Sequence, residues 1–169
     1  MATKLLTCLC DAVTVNASDL YPAPQICCIR AGETVALDIT DAQVDECCLG
    51  LAYVRIDNFY PTGGVGSTFP SPSSDFPLDR CAPYAWGVTM EMAIWRCIAT
   101  PATCDVWNFV AQRQMLDAKS MREALCCFMS DLDPRVVAIT PWQSKGPEGG
   151  CIGGTMNVSV QVDNCEGCT

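Results

Sequence analysis

The side chains with most chemistry to offer in this 169-residue chain are its thiols. Fourteen cysteines occur, at Cys8, Cys10, Cys27, Cys28, Cys47, Cys48, Cys81, Cys97, Cys104, Cys126, Cys127, Cys151, Cys165 and Cys168. Three chemistries suit such a set: small buried hydrophobes, disulfide bridges, or thiolate ligands to a metal. Cys165-x-x-Cys168 has the spacing of half a structural zinc site, and Cys8-x-Cys10 is a poorly spaced second half. With no histidine in the chain, only thiolates and carboxylates could complete such a site. No metal is therefore expected, and Cys165 and Cys168 read as a redox or disulfide pair on a short mobile tail over about 164–169. The doublets Cys27-Cys28, Cys47-Cys48 and Cys126-Cys127 put neighbouring thiols in different directions, so one can face the core while the other finds a different neighbour.

Two other chemistries fail on residue type. The run "GPEGGCIGG" lacks the lysine and hydroxyl residue of a phosphate loop, enters a strand instead of opening a helix, and carries Glu148 where an anion would sit. Without histidine, serine or cysteine cannot be activated by an imidazole. The carboxylate pairs Asp131/Asp133 and Asp45/Glu46 lie in turn-like contexts that give little reason for a raised pKa. No enzyme, catalytic residue or cofactor is expected. A net charge of −9 with no cluster of lysine or arginine gives no surface for collecting phosphates, so specific nucleic-acid binding is not expected either. The first residues are not read as a secretory signal, because Asp11 interrupts the apolar run and no clear cleavage site follows. No apolar stretch approaches the ~20 residues of a membrane span.

The elements that hold these groups follow from periodicity. Leu5, Leu6, Leu9, Ala12 and Val13 recur at spacings near three and four, as in a short amphipathic helix, with "YPAP" as the expected stop. Two short apolar runs flank Gly32 in "ICCIRAGETVALDIT" as candidate strands. "CCLGLAYVRIDNFYP" alternates Ala52, Val54, Ile56 against Tyr53, Arg55, Asp57, a strand. Between about 61 and 83 glycine, serine and proline forbid either ladder, so a long exposed loop is expected. A central strand follows, with Trp86, Val88, Met90, Met92 and Ile94 on one face. Thr103 or Asp105 can cap the main helix, whose stripe runs through Trp107, Val110, Ala111, Gln114, Ala118, Met121, Leu125 and Phe128, with Arg113, Asp117 and Arg122 largely off it. "DLDP" ends that helix. "RVVAITPW" is the next strand, "QSKGPEGG" a loop, and Thr155–Asp163 alternates Met156, Val158, Val160 and Val162 inward, which implies antiparallel pairing with one wet face. The sum is one domain over 1–169, α+β, with a mainly antiparallel sheet and helices packed on one face.

The ordered series "CCLGLAYVRIDNFYPT", "FP", "CAPYAWGVTMEMAIWRC", "MLDAKSMREALCCF" and "GPEGGCIGGTMNVSVQV" resembles a family of small neck proteins of long-tailed actinobacteriophages, over roughly residues 45–162. The resemblance implies a tail-terminator-like fold and a virion structural protein made in the host bacterial cytoplasm. It would form a homo-oligomeric ring, hexameric in tail terminators, that caps the tail tube and joins it to the head connector. Neighbouring connector and tail tube proteins would be its partners, and genomic DNA would pass without specific binding. The alternative within the class is a head-completion (stopper or adaptor) protein. From another class, a secreted disulfide-rich binding module accounts for the cysteines. Two displayed loops are candidate subunit interfaces, through Phe69 and Phe76 in the first and Gly146, Pro147, Glu148, Gly149 and Gly150 in the second.

Overall fold

A computed structural model describes residues 1–31, 47–62, 86–98, 102–130, 137–148 and 150–162. Helix α1 (Ala2–Val15) buries the apolar stripe Leu5, Cys8, Leu9, Ala12 and Val13. It stops well before "YPAP": Asn16 is the C-cap, its backbone N–H making the last rung to the Ala12 carbonyl and its side-chain amide donating to the same oxygen. Strands β1 (Ile26–Arg30), β2 (Leu51–Pro61) and β3 (Trp86–Cys97) follow. After helix α2 (Cys104–Ser130) come β4 (Val137–Ile139), β5 (Gln143–Glu148) and β6 (Cys151–Val162).

The six strands form one mixed sheet in the order β1-β2-β3-β6-β4, with β5 also on β6. Every pairing is antiparallel except β1 with β2. The α+β expectation therefore holds, and the central place of β3 with it. The register explains the core. Val54 faces Met92, which faces Met156; Met90 faces Val158, and Val88 faces Val160. Directly opposed residues share a sheet face, and these side chains join the buried stripes of α1 and α2 in one hydrophobic cluster. Phe128 of α2 is fully buried there, worth roughly 1.5–3 kcal/mol by area. The other face carries a smaller cluster of Leu51, Tyr53, Ala93, Trp95, Cys47 and Cys151.

Four further sequence expectations need correction. "QSKGPEGG" is largely strand: Gln143, Ser144 and Lys145 pair with Thr155, Gly154 and Gly153, and only Gly146–Pro147 breaks the ladder before Glu148 pairs with Cys151. Proline has no N–H to donate, which places the irregularity there. Gly150, at φ +85°, then makes the turn that other residues resist. In β2 the strict alternation fails at Asp57, an extra residue between the pairs Ile56–Met90 and Asn58–Thr89, so Ile56 and Phe59 return to the same face. Ile56 is exposed, not core. In α2 the buried set includes Asp117 and Ser120, while Trp107 is 42% exposed, so the real buried stripe is rotated from the apolar one near the helix start.

The cysteines are the fourth. Cys8 is bonded to Cys127, Cys10 to Cys27 and Cys47 to Cys151. Buried hydrophobe is the wrong reading for Cys97, Cys104 and Cys126, which are exposed. The doublets do split as expected: Cys127 is bonded while Cys126 faces solvent, and Cys27 is bonded while Cys28 packs on the smaller cluster.

Candidate functional site

Under the first turns of α2 lies a cleft of about 400 Å³, walled by the end of β3, the start of β6 and the helix. Thr103 starts that helix, its Oγ accepting the Val106 N–H at 3.4 Å. Val106, Phe109 and Val110 then descend on the cleft side and meet Ile98 and Ile152. Gln114 ties the helix to the sheet: its amide donates to the Gly153 carbonyl at 3.2 Å, and the Ser144 hydroxyl lies 3.3 Å from its Oε1. Across the mouth, the Tyr21 ring stacks on Phe109 at 5.1 Å and its hydroxyl donates to Gln112 at 2.7 Å.

The walls are apolar but the floor is charged. Arg96, next to last on β3, donates through Nε and Nη2 to the Asp117 carboxylate at 2.9 and 2.7 Å. Its Nη1 donates to the Pro22 carbonyl at 2.8 Å. Both side chains are 7% exposed, so a charge on each is tolerable only because the other completes it. One turn before Asp117 stands Arg113, half-buried, whose Nε has no hydrogen-bond partner among the described residues. Burial, and then the nearby Arg96 charge, lower its pKa from the ordinary arginine value, yet a guanidinium stays cationic in proteins. Asp117 is already committed to Arg96. The remaining lining carboxylate, Asp105, is two helical turns away, about 12 Å along the axis. An apolar cleft with one under-compensated cation is equipped to hold an apolar group that carries a carboxylate.

The far end of the sheet differs. Ile56, Asp57, Asn58 and Phe59 are all exposed, and Phe59 stacks on Trp86 at 4.8 Å. On the opposite face the Glu91 carboxylate accepts from Tyr53 Oη at 3.0 Å and from Arg55 Nε at 2.9 Å and Nη2 at 3.2 Å. Arg55 also reaches Asp57 at 3.5 Å. Burial, reinforced by Glu91, pushes the Tyr53 phenol up.

Of the residues named from sequence, Gly146, Pro147, Glu148 and Gly150 come together at the β5–β6 hairpin, with Gly146 and Pro147 exposed. Gly150 touches the cleft wall, because its carbonyl accepts the Ile98 N–H at 2.8 Å. Phe69, Phe76, Gly149, Cys165 and Cys168 lie outside the described residues. The sequence reading missed Arg96, Arg113 and Asp117. A signal was present: an arginine inside the apolar strand "MAIWRC", and an Arg–Asp pair four apart on one helix.

Comparison with models of protein families finds no match, and comparison with curated proteins finds none either. Among the described residues, no helix is long and apolar enough to cross a membrane.

Proposed function

We propose that this chain is a structural protein of the phage neck, the tail terminator ring that caps the tail tube and joins it to the head connector. The observation that carries the reading is the exposure of two large apolar side chains, Ile56 at 53% and Phe59 at 58%, on a bulged strand fixed within the central sheet. Apolar surface on a rigid frame marks a place for another protein. The ordered motifs over 45–162 and the helix-on-antiparallel-sheet architecture support the same reading. The net charge of −9 suits the wall of a channel that DNA must pass without sticking.

Particles assembled without this chain provide the test by electron microscopy. Overlong tails, detached from filled heads, are the expected result. Tails of normal length beside leaking heads would instead assign the head-completion role. Complete particles would overturn both. The secreted binding module gains from the three disulfides, since such bridges persist in oxidising surroundings. Complete particles assembled without the chain are what that reading expects.

A further inference from the structure

Two exposed features of the chain are complementary, and they lie at opposite ends of one strand. The cleft sits at the Cys97 end of β3, with apolar walls and the Arg113 guanidinium. The ridge sits near the Trp86 end, where Phe59 pairs with Val88 and Ile56 with Met90. From Val88 to Cys97 is nine residues, roughly 30 Å at strand rise. A single subunit cannot bring the two together. A second copy, placed head to tail, can.

The ridge has the chemistry the cleft lacks. Asp57 is the extra residue of the bulge, its side chain 39% exposed, and it meets Arg55 at 3.5 Å, an arginine whose main commitment is to Glu91. Bulges re-aim a side chain out of the ladder. Flanking it, Ile56 and Phe59 offer apolar bulk without cover from either helix's buried stripe. The Asp57 carboxylate matches the Arg113 guanidinium in charge, and the exposed Ile56 and Phe59 beside it in the chain match the apolar wall of Val106, Phe109, Val110 and Ile152 in character.

We infer that the bulged stretch Ile56–Phe59 of one copy seats in the Arg113 cleft of the next, with Asp57 meeting Arg113 and an apolar neighbour covering the cleft wall. This rests on the ring reading above and names its contact. The two surfaces differ, so the interface is heterologous, and such a contact repeats until the rotation closes a ring. Asp105, the other carboxylate at the cleft, lies at the helix start, two turns and about 12 Å along the axis from Arg113.

Charge exchange tests it. Native mass spectrometry compares the wild type, Arg113→Glu, Asp57→Arg and an equimolar mixture of the two variants. The wild type is expected as a closed ring, and each variant alone as a monomer, with association weakened about thirty-fold or more. In the mixture every junction again joins opposite charges, native at one and exchanged at the next, so rings return. A misfolded subunit cannot produce that rescue. If Arg113→Glu does not fold, Arg113→Gln replaces it in the single-variant arm, and Asp57→Arg, at an exposed bulge, carries the same expectation. Rings that persist in either single variant overturn this contact and leave the ring reading standing. Monomeric variants that fail to reassemble when both are folded and mixed also overturn it. A wild type that stays monomeric at its highest soluble concentration removes the ring reading and this contact with it.

Discussion

Val158 and Ser159 are neighbours on β6, and their surroundings are finished by different means. Val158 is fully buried among Met90, α1 and α2, where nothing polar needs a partner. Ser159 points to the opposite face, where its hydroxyl shares a 2.8 Å hydrogen bond with Thr89, in a strip that continues through Glu91, Arg55 and Tyr53. The helix-bearing face is closed by volume, whereas the other combines the small Leu51–Trp95 cluster with a strip of hydrogen-bonded polar side chains. Arg96 shows what happens when the two rules meet. It enters the helix side of the sheet with its charge, and the helix supplies Asp117 to complete it.

The largest effect should come from breaking the volume rule. Val160→Asp would place a charge with no partner between β3 and α2, at a cost of several kcal/mol. Chemical denaturation should show the variant largely unfolded at neutral pH; a midpoint near the wild type's would refute the register. Next is the exception on that face. Asp117→Ala leaves Arg96 buried and unpaired, an expected loss of about 3–5 kcal/mol, whereas the joint replacement Arg96→Met with Asp117→Leu should recover most of it. Equal losses in the single and double variants would mean that the pair contributes more than the cancelling of its own charges.

The smallest effect sharpens the polar face. The Tyr53 phenol is raised by burial and by Glu91, so its folded pKa exceeds the unfolded value of about 10. The sign follows: below the unfolded pKa the contribution is fully present, and it is lost as pH rises from there towards the folded pKa. Urea midpoints measured either side of pH 10 should fall more steeply for the wild type than for Tyr53→Phe. Parallel slopes would show that Tyr53 does not hold its proton against the fold.

How much of this was legible in the chain depends on which rule governs a segment. Where one face is closed by volume, alternation and helical spacing report it directly, as they do for Met156–Val162, for Val88–Ile94 and for α1. Where a polar group decides, hydropathy misleads. Asp117 looks like surface on a helical wheel, and only the distant Arg96 makes burial its place. The bulge at Asp57 leaves no mark on composition, because one inserted residue changes a strand's faces without changing its residue types. The strand in "QSKGPEGG" was hidden because turn-forming residues can still pair when a long neighbour such as β6 offers the ladder. The cleft follows the same pattern: its apolar walls are visible in the helix stripe and the strand, but Arg113, which gives it character, lies off that stripe.

The Cys8–Cys127 bridge records a matter of timing. It joins two helices whose bonded residues lie 119 positions apart. On a ribosome adding roughly 5–20 residues per second, on the order of ten seconds pass between the first cysteine and its partner. Throughout that interval Leu5, Leu9 and Val13 have no α2 to pack on, and the last core strand, β6, is later still. Helix α1 therefore waits for its packing partners, and the nascent chain carries that apolar stripe without them until α2 and β6 have been made.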